Sequence, residues 1–502
     1  MSQIEGKHVF VSYVREDNEE VDKLCQVLEA AKIPYWRDRT SLGPGETWKA
    51  QIRDAIRRGS LVFLGCFSDN SRAKERSHMN EELTLAVEEY RQRAPGRTWL
   101  IPVRFDHGDV PEWDLGAGQT LSDLNYADLF GDQYAAQAAS LVTSIHGVMG
   151  DKQLGPAAAL EAVEQATSAD RGDILKRFTK EMLVDPTRRI ELDDLISQEV
   201  QRVLKVLNDP DRVAGQFGGT RDEQVIRVVE AATELWELTE PFCASLAVAA
   251  RWGSPDTLSP WANGLRAQVQ APLKIQGGNQ GLLEMRKVCG LLSIMTAAIA
   301  AGSSRRYDNL KALVVDPSVR DGHLPKPQSM LEATDPWAPF DSQEMTANTL
   351  ARGVIASKPF DEALKDYTER RVGNSYTPVS EWMHAILRPV FLDQWPDDDS
   401  YTTEYERAEV LVGVLAQDAV NVSTAATPEM RGWSRSRWFG RSTWRVARYG
   451  ANSVEDLKQE LATEGQQWAP LRAGLFAGDM ERAKSALEDY GNYFAEISRN
   501  QH

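Results

Sequence analysis

A chain of 502 residues has room for two to four domains at ~100–200 residues each, and 42% hydrophobic with 26% charged residues describes a folded protein that can bury large cores without staples. The formal net charge of −17 excludes indiscriminate binding of nucleic acid over the whole surface, because phosphates would be repelled, and leaves only local basic patches for that purpose. Taken in chain order, apolar β-rich runs occur at His8–Tyr13, Ile33–Trp36, Leu61–Phe67 and Thr98–Phe105, with a weaker fifth near Thr120–Tyr126. Between them, three sets of residues recur at helical spacing: Val21, Leu24, Cys25 and Leu28; Trp48, Ile52, Ala55 and Ile56; and Met79, Leu83, Ala86, Val87 and Tyr90. Short apolar strands alternating with helices imply βαβ units, and right-handed crossovers then lead to a doubly wound α/β sheet with helices on both faces.

Near Val148 the pattern changes. Gly150, Gly155 and Pro156 mark a linker, so the division expected is residues 1–147, a linker at 148–160, and a mainly α-helical region at 161–502. Helical periodicity there covers Ala157–Thr167, Leu192–Leu207, Arg221–Trp252, Gly281–Ala301, Glu344–Ala356, Pro378–Leu392, Thr403–Val420 and Asp479–Ile497. A loop-rich stretch with five prolines, Asp316–Pro339, suggests a split into two lobes near 316–340. No repeat of fixed period is present, which argues against a solenoid.

Several chemistries are set aside by what the sequence lacks. Cys25, Cys66, Cys243 and Cys289 are far apart with no C-x-x-C pair, and the seven histidines are scattered, so neither a disulfide framework nor a metal site is expected. GPGETWK lacks the P-loop spacing, no G-x-G-x-x-G follows the first strand, and neither G-x-S-x-G nor H-E-x-x-H occurs. The beginning, MSQIEGKHVF, has no signal-peptide pattern, and the longest apolar run, around Leu291–Ala301, falls short of the ~20 residues of a membrane span. The expectation is a cytoplasmic protein with no membrane partner and no resident cofactor.

In an open parallel sheet, ligands bind beyond the carboxyl ends of the strands, where strand order reverses. The polar residues following the strands are Ser12, Tyr13, Arg15 and Asp17; Arg37 and Asp38; Ser68, Asp69 and Asn70; and Arg104 and Asp106. The loop Arg37–Trp48 contains Gly-Pro-Gly, which makes a tight turn and could arch over that edge as a lid. Glu82 lies three residues after Met79 and four before Ala86, so it borders the apolar stripe of its helix, whereas Glu81 is rotated outward. A half-buried carboxylate above the sheet edge is a candidate for catalysis; the plainer alternative is a solvated helix glutamate.

The segments HVFVSY, IPYWRDRTSLGPGETW, LVFLGCFSDNS, HMNEELTLA and WLIPVRF, in this order and spacing, resemble the TIR domain family from Gly6 to about His146. The resemblance implies a flavodoxin-like, doubly wound, parallel five-stranded sheet. It also implies NAD⁺ as substrate, cleaved between nicotinamide and ribose to give ADP-ribose or a cyclic product. The family's essential glutamate lies in the helix after the third strand, four residues after an aromatic; Glu82 matches it, with His78 in the aromatic's place. Ser68 and Asn70 match polar residues that open this segment, and Tyr13, Arg15 and Asp38 match positions near the nucleotide pocket. Related enzymes act when assembled, the lid loop of one copy completing its neighbour's site, which would make Leu42–Trp48 both a pocket wall and an assembly surface. The resemblance implies a setting in anti-phage defence. The alternative it allows is a non-catalytic adaptor that signals by contacts between TIR domains.

No family is recognised in the helical half. Its most unusual stretch, Arg431–Arg448, holds six arginines and the tryptophans Trp433, Trp438 and Trp444 with no acid. Arginine forks bind phosphate and indoles stack on bases, so one reading is a sensor for a nucleotide or phage-derived trigger. The other is that the tryptophans anchor the core while the arginines pair with acids such as Asp397–Asp399. Trp382, Ile386 and Val390 read as a packed helix face, with His384 as a core or boundary histidine.

Overall fold

The computed structural model describes residues 8–37, 55–56, 60–94, 97–150, 156–167, 170–213, 219–274, 277–322, 324, 326–341, 343–371, 375–425, 435–450 and 452–501. The chain forms two compact units, Met1–Phe178 and Thr179–His502.

The first unit is built on a parallel sheet. Its strands are β1 (His8–Ser12), β2 (Tyr35–Trp36), β3 (Ser60–Phe67), β4 (Leu100–Arg104) and β5 (Ala127–Asp128), in the spatial order β2-β1-β3-β4-β5. This is the doubly wound flavodoxin-like order expected from the sequence, with its switch point between β1 and β3. The helices around it are α1 (Asn18–Ala30), the short α2 (Asp69–Arg72), α3 (His78–Gln92) and α4 (Tyr134–Met149). β1 and β3 read as near-continuous apolar runs because both sheet faces are covered. On one face Phe10 stacks on Trp36 and Phe63, at 4.6 and 5.2 Å between ring centroids, and Met79, Leu83, Ala86 and Val87 of α3 close over them. Each side chain of that size contributes roughly 1.5–3 kcal/mol by leaving water.

The fifth strand lies later than the sequence suggested. The Thr120 amide and hydroxyl both donate to Asp123, which folds Leu121–Asp123 into a 3₁₀ turn with Leu121 fully buried, so the chain joins the sheet only at Ala127. Gly150, at φ +74°, ends α4. The next helix, α5 (Pro156–Thr167), packs on α1 and α4, so the first unit continues beyond residue 147 and its boundary falls within α6 (Arg171–Leu183).

The second unit is almost wholly helical: α7 (Arg189–Leu207), α8 (Arg221–Trp252), α9 (Ser259–Gln270), α10 (Val288–Ser303), α11 (Glu344–Ile355), α12 (Phe360–Thr368), α13 (Pro378–Leu387), α14 (Asp398–Ser423), α15 (Ser442–Tyr449), α16 (Ser453–Glu464) and α17 (Met480–Arg499), joined by shorter turns. Its centre is α10, buried from Val288 to Gly302 against α8 and α14. The helix expected at Gly281–Ala301 is broken after Met285, where buried Arg286 donates to the carbonyls of Leu207 and Ala271 at 2.6 and 3.0 Å. Residues 316–340 do not divide the unit, since α8 and α10 pack directly on α11 and α14 from beyond that stretch. Among the described residues no helix is long and apolar enough to cross a membrane.

Candidate active site at the carboxyl edge of the sheet

Ser12 ends β1 on the same face as Phe10, a core-facing position where a hydroxyl must find a partner. That partner is Glu82: Ser12 Oγ donates to Glu82 Oε2 at 2.5 Å. The pair spans the switch point from the tip of β1 to the helix that follows β3. Three local features bring it about. Ser77 caps α3 by accepting from the Asn80 amide at 3.1 Å. The register of Met79, Leu83 and Ala86 then turns Glu82 inward and leaves it 6% exposed, with Glu81 outward as expected. Gly65, which pairs with Ser12, carries no side chain; a Cβ there would lie 3.3 Å from the Phe67 ring, so glycine leaves room for that ring beside the strand.

A second carboxylate is buried beside the same switch. Asp17, in the 3₁₀ turn Arg15–Asp17 after β1, accepts from Ser68 Oγ at 2.5 Å and Asn70 Nδ2 at 2.8 Å. Ser68 also caps α2 in a reciprocal bond pair with Ser71. The polar groups of Ser68 and Asn70 therefore tie the loop after β1 to the loop after β3. Tyr13 is half-buried and its hydroxyl donates to Asn18 Oδ1 at 3.3 Å, while Arg15 is exposed. His78, one turn before Glu82, has 64% of its side chain exposed, with Nδ1 4.0 Å from Glu81. Asp38, Leu42 and Trp48 lie outside the described residues, as does the rest of the predicted lid loop beyond Arg37.

Not every polar strand end converges on this point. Arg104 holds Asp128 through two bonds of 2.6 and 2.9 Å and lies over the Tyr126 ring, which joins β4 to β5. Asp106 accepts from the Asp69 amide at 2.6 Å and from Arg72. The β4–β5 half of the edge is thus locked by its own pairs, and among the described residues the buried carboxylates at the β1–β3 half are Glu82, on Ser12, and Asp17, on Ser68 and Asn70. The thiols do not compete as nucleophiles: burial pushes Cys25 up to about 11 and Cys66 well above its usual range.

Two residues central to this geometry, Ser12 and Asp17, appear in the sequence only as polar strand-end residues. The signal for Ser12 is its phase: it shares the parity of Phe10, the apolar residue of a face that also carries buried His8. Asp17 gave no comparable signal, because nothing local distinguishes it from Glu16, which is exposed.

The arginine- and tryptophan-rich stretch of the helical unit is described from Arg435 onward; Arg431 and Trp433 lie outside. Trp438 is fully buried and donates Nε1–H to the Leu331 carbonyl at 3.0 Å, and Phe439 stacks on Tyr490. Trp444 donates to Glu381 at 2.9 Å. Arg441 lies 3.5 Å from Glu406, which also pairs with Arg445, and Arg437 reaches Asp341 at 3.6 Å. Buried Glu409 accepts from Ser442 Oγ and from the Ser442 amide, at 2.6 and 3.0 Å, and Gly440 leaves room for it, since a Cβ there would fall 1.7 Å from Glu409 Oε1. The core reading therefore holds for Trp438 and for the acid pairs of Arg437, Arg441 and Arg445, while Arg435 and Arg448 lie over the rings of Tyr493 and Tyr449. The acids are Glu381, Glu406, Asp335 and Asp341 rather than Asp397–Asp399, of which Asp398 pairs with Arg388. His384 is a boundary histidine: Nε2 meets Thr402 Oγ1 at 3.0 Å, and burial, then Arg441, Arg445 and Arg388, push its ring down to about 3.

Residues 9–142 match the family model described as TIR domain, so the parallel-sheet unit carries a TIR domain, as its sequence motifs implied. No curated protein matches the chain.

Proposed function

We propose that the TIR domain of this chain cleaves the nicotinamide–ribose bond of NAD⁺, with Glu82 as the catalytic carboxylate. The observation that carries this reading is the placement of Glu82: buried, at the carboxyl tips of β1 and β3, and held there by Ser12. The chemistry needs little more. The nicotinamide nitrogen is already cationic in NAD⁺, so it leaves without protonation, and the reaction passes through an oxocarbenium-like state as glycoside cleavage does. A carboxylate fixed beforehand beside the ribose stabilises that growing positive charge without reorganising as the bond breaks. Water captures the sugar to give ADP-ribose; an adenine nitrogen would give a cyclic product. Assembly through the 42–48 segment, and a setting in anti-phage defence, are parts of the same proposal.

A non-catalytic TIR module is the second reading. It draws on the low exposure of Glu82, whose bond to Ser12 also satisfies a purely structural pair, and on His78 in place of the expected aromatic. The deciding experiment incubates the full chain with NAD⁺, with and without forced clustering, and follows nicotinamide release for wild type and Glu82→Gln. Release abolished by the substitution supports the enzyme. Equal release by both removes Glu82 from the chemistry, and no release under any condition favours the adaptor.

A further inference from the structure

In the second unit, an antiparallel pair, Ser318–Val319 with Gln328–Ser329, projects a hairpin loop beside the carboxyl end of α9. Between them lies a cleft of about 670 Å³, within the ~300–1,000 Å³ range of small-ligand sites. Its walls are basic on both sides: Arg266 and Lys274 from the helical side, Arg320 and Lys326 from the hairpin, against a single carboxylate, Asp321. Among the described residues none of the four cations is paired with an acid, although Lys287, Arg306 and Lys311 of the same unit each hold one. The negative end of the α9 dipole favours a cation at Lys274, just past the helix. It does not account for the two hairpin cations.

The Arg320 side of the hairpin is fixed in place. The Gln270 side chain donates to the Arg320 carbonyl at 2.7 Å and accepts from the Arg320 amide at 2.8 Å, so the backbone carrying that guanidinium is clamped to α9 while the guanidinium faces solvent. In a chain of net charge −17, four cations with no acid partner among the described residues, gathered around one concavity, form a local field opposite to that of the chain's net charge. Such a field, with a guanidinium fork on one wall, matches a compact anion with several phosphate groups.

We infer that the cleft between the end of α9 and the 318–329 hairpin binds a small polyphosphorylated anion. This is independent of the activity proposed for the TIR domain. The test is calorimetric titration of the full chain with inorganic tripolyphosphate, ATP and a single-stranded oligonucleotide, at low and raised salt. Variants are Arg320→Glu with Lys326→Glu, both on the exposed loop, and Lys205→Glu on the surface of α7 as control. The expected result is saturable tripolyphosphate binding that weakens with salt, falls at least tenfold in the double variant and is unchanged in the control. Tighter binding of ATP assigns the site to a nucleoside polyphosphate, and equal binding assigns it to the phosphate chain; both support the inference. Absence of saturable binding, equal binding by the double variant, or binding of the oligonucleotide alone overturns it.

Discussion

Replacing Ser12 by alanine isolates the contact on which the proposed chemistry rests. The substitution removes one hydroxyl that is 1% exposed and leaves Phe10 and the β1–β3 pairing in place, so the sheet itself has no reason to fail. What it removes is a 2.5 Å bond to a buried carboxylate. A hydrogen bond to a charged group contributes about 1.5–3 kcal/mol. If that energy holds Glu82 in its reactive position, its loss lowers kcat/KM by roughly 10- to 100-fold, at about 1.4 kcal/mol per tenfold. The assay is nicotinamide release from NAD⁺ under clustered conditions, comparing wild type, Ser12→Ala, Ser12→Thr and Glu82→Gln. Threonine keeps the hydroxyl and is expected to recover most of the loss, which a general packing defect would not permit. Ser12→Ala at near wild-type rate, beside an inactive Glu82→Gln, would refute the argument that Ser12 positions the acid.

Two further outcomes concern the helical unit. His384 has a folded-state pKa pushed down to about 3, so its ring stays neutral in the fold while the unfolded chain takes up a proton below about 6.5. The stability it contributes is complete above pH 6.5 and is lost as pH falls towards 3, with a slope of up to about 1.4 kcal/mol per pH unit. Urea unfolding of His384→Gln between pH 4 and 7 is expected to show a dependence flatter by about that slope; an unchanged dependence would contradict the assignment. Trp438→Ala empties a fully buried site and strands the Leu331 carbonyl, so it is expected to destabilise the unit by about 3–5 kcal/mol in urea or thermal unfolding, and a loss below 1 kcal/mol would show that the indole is not a core anchor.

The sequence by itself determined the sheet-forming runs, the doubly wound order and the inward phase of Glu82. Each is a matter of local periodicity, and period-2 and period-3.6 patterns persist into the fold because both faces of the sheet must be covered. It also announced the long helices at the heart of the second unit, Arg221–Trp252 above all. Tertiary structure decided what local pattern does not encode. The capping bonds of Thr120 and Asp123 moved the fifth strand to Ala127, and buried Arg286 broke a helix whose apolar run looked continuous. The partners of Glu82 and Asp17 are 70 and more than 50 residues away, at Ser12, Ser68 and Asn70. Arg437, Arg441 and Arg445 met acids brought in by α13, α14 and the 335–341 turn, and the four cations of the cleft came together from two separate segments. Hydrogen bonds and charge pairs between distant segments depend on which side chains the packed core places within about 3 Å, and that distance exists only once the chain has folded.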